Sequence, residues 1–574
     1  MKKFAFIIGM GWMSLSVANA QQDTTLVRTV VVENQYNPTI MDASKINVLP
    51  KVEEPTVPKA HIDYASSIRP VSAWNYQAMQ PIVKEWNADA AYRGYLRGGY
   101  GNNGNVDAAL GYLWDISKKD RLNVAASLDG WNGELNRWNW DEHVFSDEKW
   151  ASRMYNTKVG VDYKHAFKKV DFKLGGDYHS RVFNYMVPRY FNGAQNPESG
   201  YDGYFNKQHQ TFANAYIGFA STDKDMPVQF EAQAGIRYFD EKYPARDYFS
   251  EITSTETNLF VKGNVWKNLN EENSLGLGFN FDNYNQATDW ADEVMAIEFN
   301  PYYAKQNDTW KVRIGAHLDW IGRDVSYSLD NYDKFYVSPD VNVEYIFSDS
   351  YVLYAKAGGG RGISSLYELM TVAPYLVEQS VAPTYMTLDA ALGLKASPVD
   401  GWWFYVSGGY QIRENDVCLS FIGPSVLDMT NKLGDTKVFY ATAELKHDYK
   451  DLFDFSLKGT YYNWKWDGDI PPGGSFSSQE TDALSLKPEL EVNARVGFKP
   501  MQGLRINVGY DYVKRCNNDC GDPVSNLYAG ADYALMKNLS VFAQFNNLLN
   551  KEYVTISSFP AQKLNFMAGL SLQF

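Results

Sequence analysis

Apolar and polar residues alternate along most of the chain from Tyr92 onward. In the stretch 504–512 the even-numbered positions are apolar or aromatic, and the odd-numbered ones are polar or glycine. The same alternation recurs at 228–238, 490–498 and 564–574. A period of two places successive side chains on opposite sides, so it predicts β-strands with one apolar and one polar face.

The length of the predicted strands favours a membrane barrel over a soluble sandwich. We count about twenty-two candidate strands between 92 and 574, most of them about nine to fifteen residues long. Soluble strands usually have about five or six residues, whereas strands tilted across a bilayer need about nine to eleven. The pattern therefore predicts an all-β fold, a transmembrane antiparallel β-barrel of about 22 strands.

The connections between the candidate strands alternate between short and long. The short ones lie at 117–120, 168–169, 305–308 and 348–350. The long ones lie at 132–150, 187–207, 361–384, 415–434 and 467–483. Long outer loops and short periplasmic turns are typical of outer-membrane barrels. Pro301, Pro339 and Pro488 weaken three strand assignments, because proline removes a hydrogen bond from a ladder.

Composition agrees with a barrel and excludes other classes. The 574 residues carry a net charge of −14, which argues against a nucleic-acid partner because such a partner needs a basic surface. A mean hydropathy of −0.40 excludes a bundle of apolar transmembrane helices. Aromatic residues make up 15% of the chain, which suits a barrel with aromatic girdles at the two membrane interfaces.

The segment 1–20 predicts a secretory signal peptide. Two lysines precede an apolar run at 4–17, which is too short to cross a bilayer as a helix. A small-residue cleavage pattern follows and ends at Ala20. We therefore expect an exported protein whose mature chain starts after Ala20.

The segment 21–91 differs in composition and predicts an extended periplasmic N-terminal segment. Six prolines punctuate it, and it shows no helical periodicity. Between Ile68 and Trp86 several large apolar side chains are costly to leave in water, so we expect this part to pack near the periplasmic rim. The part from Thr24 to Pro58 is expected to extend toward a protein partner.

Motifs in the second half of the barrel region carry a family resemblance. Gly-Gly-Gly-Arg at 358–361 is followed by Leu-Tyr-Glu-Leu at 366–369 and by Ala-Pro-Tyr-Leu-Val-Glu-Gln-Ser at 373–380. Asn-Leu-Leu-Asn-Lys-Glu-Tyr at 547–553 precedes a final strand that ends in Phe574. In combination these motifs resemble the late barrel of TonB-dependent receptors. The resemblance implies a 22-stranded barrel in the outer membrane of a Gram-negative bacterium.

The chain departs from that family before the barrel at 92–574. The family's receptors carry an N-terminal plug domain inside the barrel, whereas 21–91 is too short for one, so we expect the plug to be missing. A motif similar to a TonB box, which the energy-coupling protein grips, consists of Thr29, Val30, Val31, Val32 and Glu33. If the plug is missing, the energy-coupling protein has no evident domain to displace when it pulls on this motif.

Nothing in the sequence predicts an enzyme, a cofactor or a metal site. The seven histidines are scattered, without a pair at metal-ligand spacing. Gly-Tyr-Gly-Asn-Asn-Gly at 99–104 matches a dinucleotide fingerprint, but a strand follows it, which favours a hairpin turn. Trp138, Trp140 and Trp150 crowd one predicted outer loop, where they either stack on a sugar or a partner or pack on each other.

Two further features concern the end of the chain. Cys516 and Cys520 flank three residues of an outer loop. Because export places them in an oxidising compartment, we expect a disulfide between them and an unpaired Cys418. Phe574 ends the last strand with an aromatic ring, which looks like the recognition signal of the barrel-assembly machinery.

Two functions remain open at this point. The first is a structural or accessory subunit of an outer-membrane protein complex, surrounded by outer-membrane lipid and bound to a periplasmic or outer-membrane protein partner. The alternative is a transport protein for a small solute, either a TonB-dependent nutrient receptor or a passive pore. A lumen of this size cannot be filled by strand side chains, so the first hypothesis requires occlusion by the leader, a loop or a partner.

Overall fold

The structure is a computed structural model, and it describes most of the chain from Tyr92 to Phe574. The described ranges are 92–139, 144–189, 205–242, 245–246, 251–252, 254–287, 292–325, 332–348, 350–363, 365–375, 383–421, 429–450, 452–467, 484, 486–516, 521–556 and 559–574. The predicted signal peptide, the leader and the motif similar to a TonB box lie outside these residues and stay predictions.

Period-two alternation produces strands throughout the described residues. The strands that form the main sheet are β1 Gly94–Gly101, β2 Val106–Asp115, β3 Asp120–Asn139, β4 Val144–Ala166, β5 Val170–Arg189, β6 Phe205–Ser221, β7 Gln229–Glu241, β10 Thr255–Asn268, β11 Asn273–Ala287, β12 Asp292–Gln306, β13 Trp310–Val325, β14 Tyr332–Ser348, β15 Tyr351–Arg361, β16 Tyr385–Ala396, β17 Trp402–Phe421, β18 Met429–Tyr449, β19 Phe453–Asp467, β20 Pro488–Met501, β21 Leu504–Arg515, β22 Val524–Ala534, β23 Leu539–Asn546 and β26 Asn565–Gln573. Two small hairpins lie in the connections: β8 Ala245–Arg246 with β9 Glu251–Ile252, and β24 Val554–Ile556 with β25 Phe559–Pro560. A single α-helix among the described residues, α1, spans Leu366–Val372.

The main sheet closes on itself into a barrel of 22 strands within the described part of the chain. Each strand pairs antiparallel with its neighbours in the chain, and the last pairing joins β1 to β26, where Leu96 faces Leu572. Closure leaves no unpaired sheet edge. The predicted fold class and strand number are therefore confirmed. In the described ranges, no helix is long and apolar enough to cross a membrane.

The two faces of the wall differ as the alternation predicts. On β26, Phe566 and Leu570 are about half exposed, whereas Met567 between them is buried. Near the ends of strands that meet short turns, aromatic rings stack in a girdle: Trp402 lies 4.1 Å from His447, between ring centroids. An apolar exterior with aromatic girdles is the surface that a barrel presents to lipid.

The two ends of the barrel differ as well, with two corrections to the predicted loops. Much of 132–150 and 415–434 is strand, because β3 pairs with β4, and β17 with β18, well beyond the membrane thickness. β4 has 23 residues, more than twice the number that a tilted strand needs to cross a bilayer. These hairpins therefore project at the end that carries the long connections, which is the outer end in barrels of this type.

Local sequence explains the exceptions within the strands. Pro301 and Pro339 lie inside β12 and β14 and still pair in register with Leu277 and Ala316, so the two proline positions are strand. Pro488 is the first residue of its strand, where a missing donor matters least. The 99–104 segment forms the predicted turn: Asn103 and Gly104 have φ of 52° and 59°, which few other residue types adopt.

Candidate functional site

The connection between β15 and β16 folds inward and forms the centre of the candidate site. We call its described residues 365–375 the cap. Ser365 caps α1 by accepting a hydrogen bond from the Glu368 backbone amide at 3.1 Å. Leu366, Leu369 and Met370 are fully buried and share one face of the helix, because their spacing matches a helical turn.

A carboxylate from the barrel wall holds the N-terminus of α1. Glu256 on β10 accepts hydrogen bonds from the backbone amides of Leu366 and Tyr367, at 2.7 and 3.3 Å. Gln286 on β11 donates to the same carboxylate at 3.0 Å, which fixes its orientation. A negative charge at this end satisfies amides that lack a partner within the helix and interacts favourably with the helix dipole.

A guanidinium three strands away along the wall holds the C-terminus of α1. Arg181 on β5 donates to the carbonyls of Met370 and Thr371, at 2.7 and 3.3 Å. Gln210 on β6 donates to the carbonyl of Pro374 at 3.0 Å. Positive charge is favourable at a helix C-terminus, so the wall grips each end of α1 with the charge that suits it.

The position of these contacts shows that the cap crosses the barrel mouth. The cap follows β15, the thirteenth strand of the barrel, yet Arg181 belongs to the fifth strand and Glu256 to the eighth. Strands lie about 4.8 Å apart along the wall, so a contact across so many strands is made through the interior.

The wall under the cap is apolar, although the alternation predicts a polar face on the side of the strands that points away from lipid. Phe183, Phe212 and Phe239 point inward from β5, β6 and β7 and are buried against α1. The ring of Tyr367 meets Phe212 edge-on at 5.3 Å between centroids, and burial raises the pKa of Tyr367 to about 12. Inward-facing positions at this level of the barrel therefore fit apolar side chains well.

Other outer connections join the same apolar cluster. Tyr375 at the end of the cap stacks on Phe559 of the β24–β25 hairpin, with 3.6 Å between ring centroids. Trp150 on β4 lies 5.6 Å from Phe559 and donates its indole N–H to a backbone carbonyl on β5. Val417 on β17 and Leu486 before β20 complete the cluster, so side chains from several sides of the mouth meet in one apolar core.

A buried ion pair with additional hydrogen bonds holds the connection before β20 in place. The Lys487 ammonium lies 2.8 Å from the Asp416 carboxylate and donates to the carbonyl of Val417. Thr436 donates to the same carboxylate at 2.8 Å. The Lys487 ammonium also lies 5.0 Å from the Trp464 ring centroid, a cation–π contact.

Nearer the short turns the lumen wall is polar and makes its own contacts. Lys356 on β15 pairs with Asp389 on β16 at 2.7 Å, and Tyr440 donates to Asp389 at 3.0 Å. The hydroxyls of Tyr354 and Tyr405 lie 2.6 Å apart. We call this region the lower wall, and the inward side chains that contact the cap the upper wall.

The structure describes some of the site residues predicted from the sequence and leaves others untested. Trp138 and Trp150 are buried, which favours packing over ligand stacking, and Trp140 lies outside the described residues. Cys516 follows β21, but Cys520 is not among the described residues, so the disulfide stays a prediction. Phe574 stacks on Tyr112 of β2, and its carbonyl accepts two backbone bonds at the start of β1; its role in assembly stays a prediction.

Sequence reasoning missed the two wall residues that grip α1 and placed the Leu-Tyr-Glu-Leu motif in a long connection without predicting a helix. The available signal was local: Ser365 followed by Glu368 is the spacing of a helix capping box, ahead of buried leucines. No local signal identified Glu256 or Arg181, because both occupy ordinary polar positions of alternating strands. Among the described residues, no group of three or more metal-ligating side chains comes together.

Comparison with known proteins gives a fold and no sequence relative. No sequence-family model and no curated protein matches the chain. The FrpB iron transporter from Neisseria meningitidis superposes with a TM-score of 0.64 at 10% identity, covering 85% of this chain and 81% of that one. The siderophore receptor PiuA from Acinetobacter baumannii gives 0.60 at 12% identity, with 84% and 82% covered. The ferric-catecholate import receptor Fiu from E. coli K12 gives 0.59 at 10% identity, with 84% and 82% covered.

At these identities the comparisons establish the fold alone. The barrel has the architecture of TonB-dependent receptors, as the motifs at 358–380 and 547–553 predicted. With its closed sheet and apolar exterior, the chain is an outer-membrane β-barrel.

Proposed function

We propose that this protein is an outer-membrane barrel closed by its own outer connections, without a plug domain, and that it serves as a structural or accessory subunit of an outer-membrane protein complex. The observation that carries the proposal is the grip of Glu256 and Arg181 on the two ends of α1. A lid that is charge-matched at each end and apolar along its inner face is built to stay in place. Such a mouth argues against a passive pore.

The lower wall supports the absence of a plug. Here Lys356 and Asp389, and likewise Lys395 and Glu344, pair along the wall itself. These charges are therefore satisfied without a filling domain.

Transport is the second candidate, and the structural comparisons favour it. The similar structures are named as an iron transporter, a siderophore receptor and a ferric-catecholate import receptor. In this alternative the cap is a gate, and the motif at 29–33 is a coupling site for energised uptake. Fold likeness alone does not carry function, because one fold hosts many functions.

A deletion of 24–58 separates the two candidates. The accessory subunit is expected to lose co-purifying proteins in a mild-detergent purification with mass spectrometry, while the barrel stays folded and heat-modifiable. The matched control keeps the length and composition of this segment: it carries the same 35 residues, 24–58, in scrambled order. Loss of growth on one limiting nutrient, with partner recovery unchanged, would contradict the accessory role and favour transport.

A further inference from the structure

The outer face of β18 and β19 carries two pairs of like charges. Lys437 lies directly opposite Lys465, and two residues farther toward the outer end Asp435 lies directly opposite Asp467. All four side chains are exposed. Like charges that face each other across a ladder destabilise the pairing, so this arrangement needs an explanation.

The alternation of buried and exposed positions places the four side chains outside the barrel. Thr436 and Val438 flank Lys437 on β18 and are buried, as is Trp464 beside Lys465 on β19. Val438 and Trp464 belong to an apolar cluster with Leu484, on the inner side of the wall. The lysines therefore face the membrane side.

The lysines lie at the level of the lipid headgroups. The next outward-facing residues toward the membrane centre are Phe439 on β18 and Asn463 opposite it on β19. Tyr461 is the following outward-facing residue on β19, and the rings of Phe439 and Tyr461 are both exposed. Tyr449 lies at the other end of β18, ten residues after Phe439. At about 3.3 Å per residue and a strand tilt near 40°, these ten residues cover a height of roughly 25 Å across the membrane. This is the height of an apolar band between two aromatic girdles, so Lys437 stands just above the upper girdle.

The two charge pairs do not neutralise each other within the described residues. No ion pair joins any of the four side chains to a partner there; Asp435 accepts only a backbone hydrogen bond from Asn415, at 3.2 Å. Moving outward from the membrane centre, the exterior therefore presents aromatic rings, then two ammonium groups, then two carboxylates.

We propose that this surface binds the headgroup of a phosphoethanolamine-bearing lipid in the outer leaflet. Lys437 and Lys465 hold the phosphate, and Asp435 and Asp467 hold the ammonium beyond it. The two pairs lie about 6.7 Å apart along the strands, which suits the neighbouring charges of one zwitterionic headgroup. The bound phosphate removes the repulsion between the lysines, and the apolar wall below them contacts the acyl chains.

The test uses the full-length protein in phosphate-free, non-ionic detergent micelles. Heat-modifiability on gels reports the unfolding midpoint with and without added phosphatidylethanolamine. We expect the lipid to raise the midpoint of the wild-type protein, because a ligand that binds only the folded state stabilises it. The K437Q/K465Q variant should fold, since it loses a repulsive pair, and should lose this rise.

A charge-matched control replaces two lysines that face neutral partners on the same outer half. Lys149 lies opposite Asn136, and Lys207 lies opposite Asn184. The K149Q/K207Q variant should keep the full rise with phosphatidylethanolamine. An equal rise in K437Q/K465Q would overturn the proposal, and so would an equal rise of the wild-type protein with inorganic phosphate alone, which would assign the lysines to free phosphate. The outcome is independent of whether the barrel is an accessory subunit or a transporter.

Discussion

The upper and lower walls of the lumen are built from the same strands but hold different chemistry. Along β5, the inward side chains near the short turns are polar, as at Asp177, whereas near the mouth they become Phe183 and Tyr185. The lower wall satisfies itself through ion pairs and tyrosine hydroxyls. The upper wall is covered by the cap and by the other outer connections that pack in the same apolar cluster.

The difference between the upper and lower walls shows that inward-facing positions are not uniformly polar in a wide barrel. Water fills a lumen only where nothing else is folded into it. Where a connection returns to the interior, the strand positions that meet it become apolar, because burying each large side chain contributes roughly 1.5–3 kcal/mol. Two of the charges at this level, Arg181 and Glu256, serve the ends of the returning helix.

The largest expected effect comes from removing the apolar face of α1. Replacing Leu366, Leu369 and Met370 together by serine removes roughly 1.5–3 kcal/mol of burial per side chain. The cap should leave the upper wall while the barrel stays folded, since its ladder is untouched. Liposome-swelling assays should show entry of small sugars. The T371A variant, which alters an exposed position of α1, should stay closed; equal influx through both variants would mean that the cap does not close the mouth.

A change in the lower wall should affect stability without opening the mouth. Lys356→Met leaves the nearly buried Asp389 carboxylate without its cation, which costs about 3 kcal/mol. We expect a lower unfolding midpoint on heating and no sugar influx into liposomes. Influx through this variant would show that the two walls are not independent.

The grip on α1 should contribute less in total than its apolar face, because it consists of two residues and not three. Arg181→Met and Glu256→Gln each weaken charge-assisted hydrogen bonds, with an expected cost of about 2 kcal/mol to cap closure. Native-state proteolysis of the cap measures this cost. Because the two residues hold one helix, the double variant should deviate from additivity. Strict additivity, or unchanged cleavage in either variant, would contradict a shared grip.

The smallest effect concerns the outer connection after β21. A disulfide between Cys516 and Cys520 closes a short ring, so it should stabilise the fold by at most about 2 kcal/mol. Intact-mass analysis after alkylation without reduction should find one alkylated thiol, at Cys418. Three alkylated thiols would refute the pairing.

The sequence predicts the barrel well and the cap poorly, for a physical reason. Alternation is a local signal, so the strands, their faces and the closure of the sheet follow from it. The grip of Arg181 on Met370 joins residues 189 positions apart, and no local pattern encodes such a contact. The projecting β3–β4 and β17–β18 hairpins were predicted as loops because their outer halves lose contact with lipid and with it the clean apolar face.

The conductance of single barrels in planar bilayers tests the central claim most directly. The full-length protein and a variant lacking 21–91 are compared side by side, so that the N-terminal segment cannot account for closure. If the outer connections close the mouth, both proteins show no steady conductance, and the serine variant of α1 opens either one. A large, steady conductance of the variant lacking 21–91 would contradict the account, because it would show that the cap leaves the lumen open.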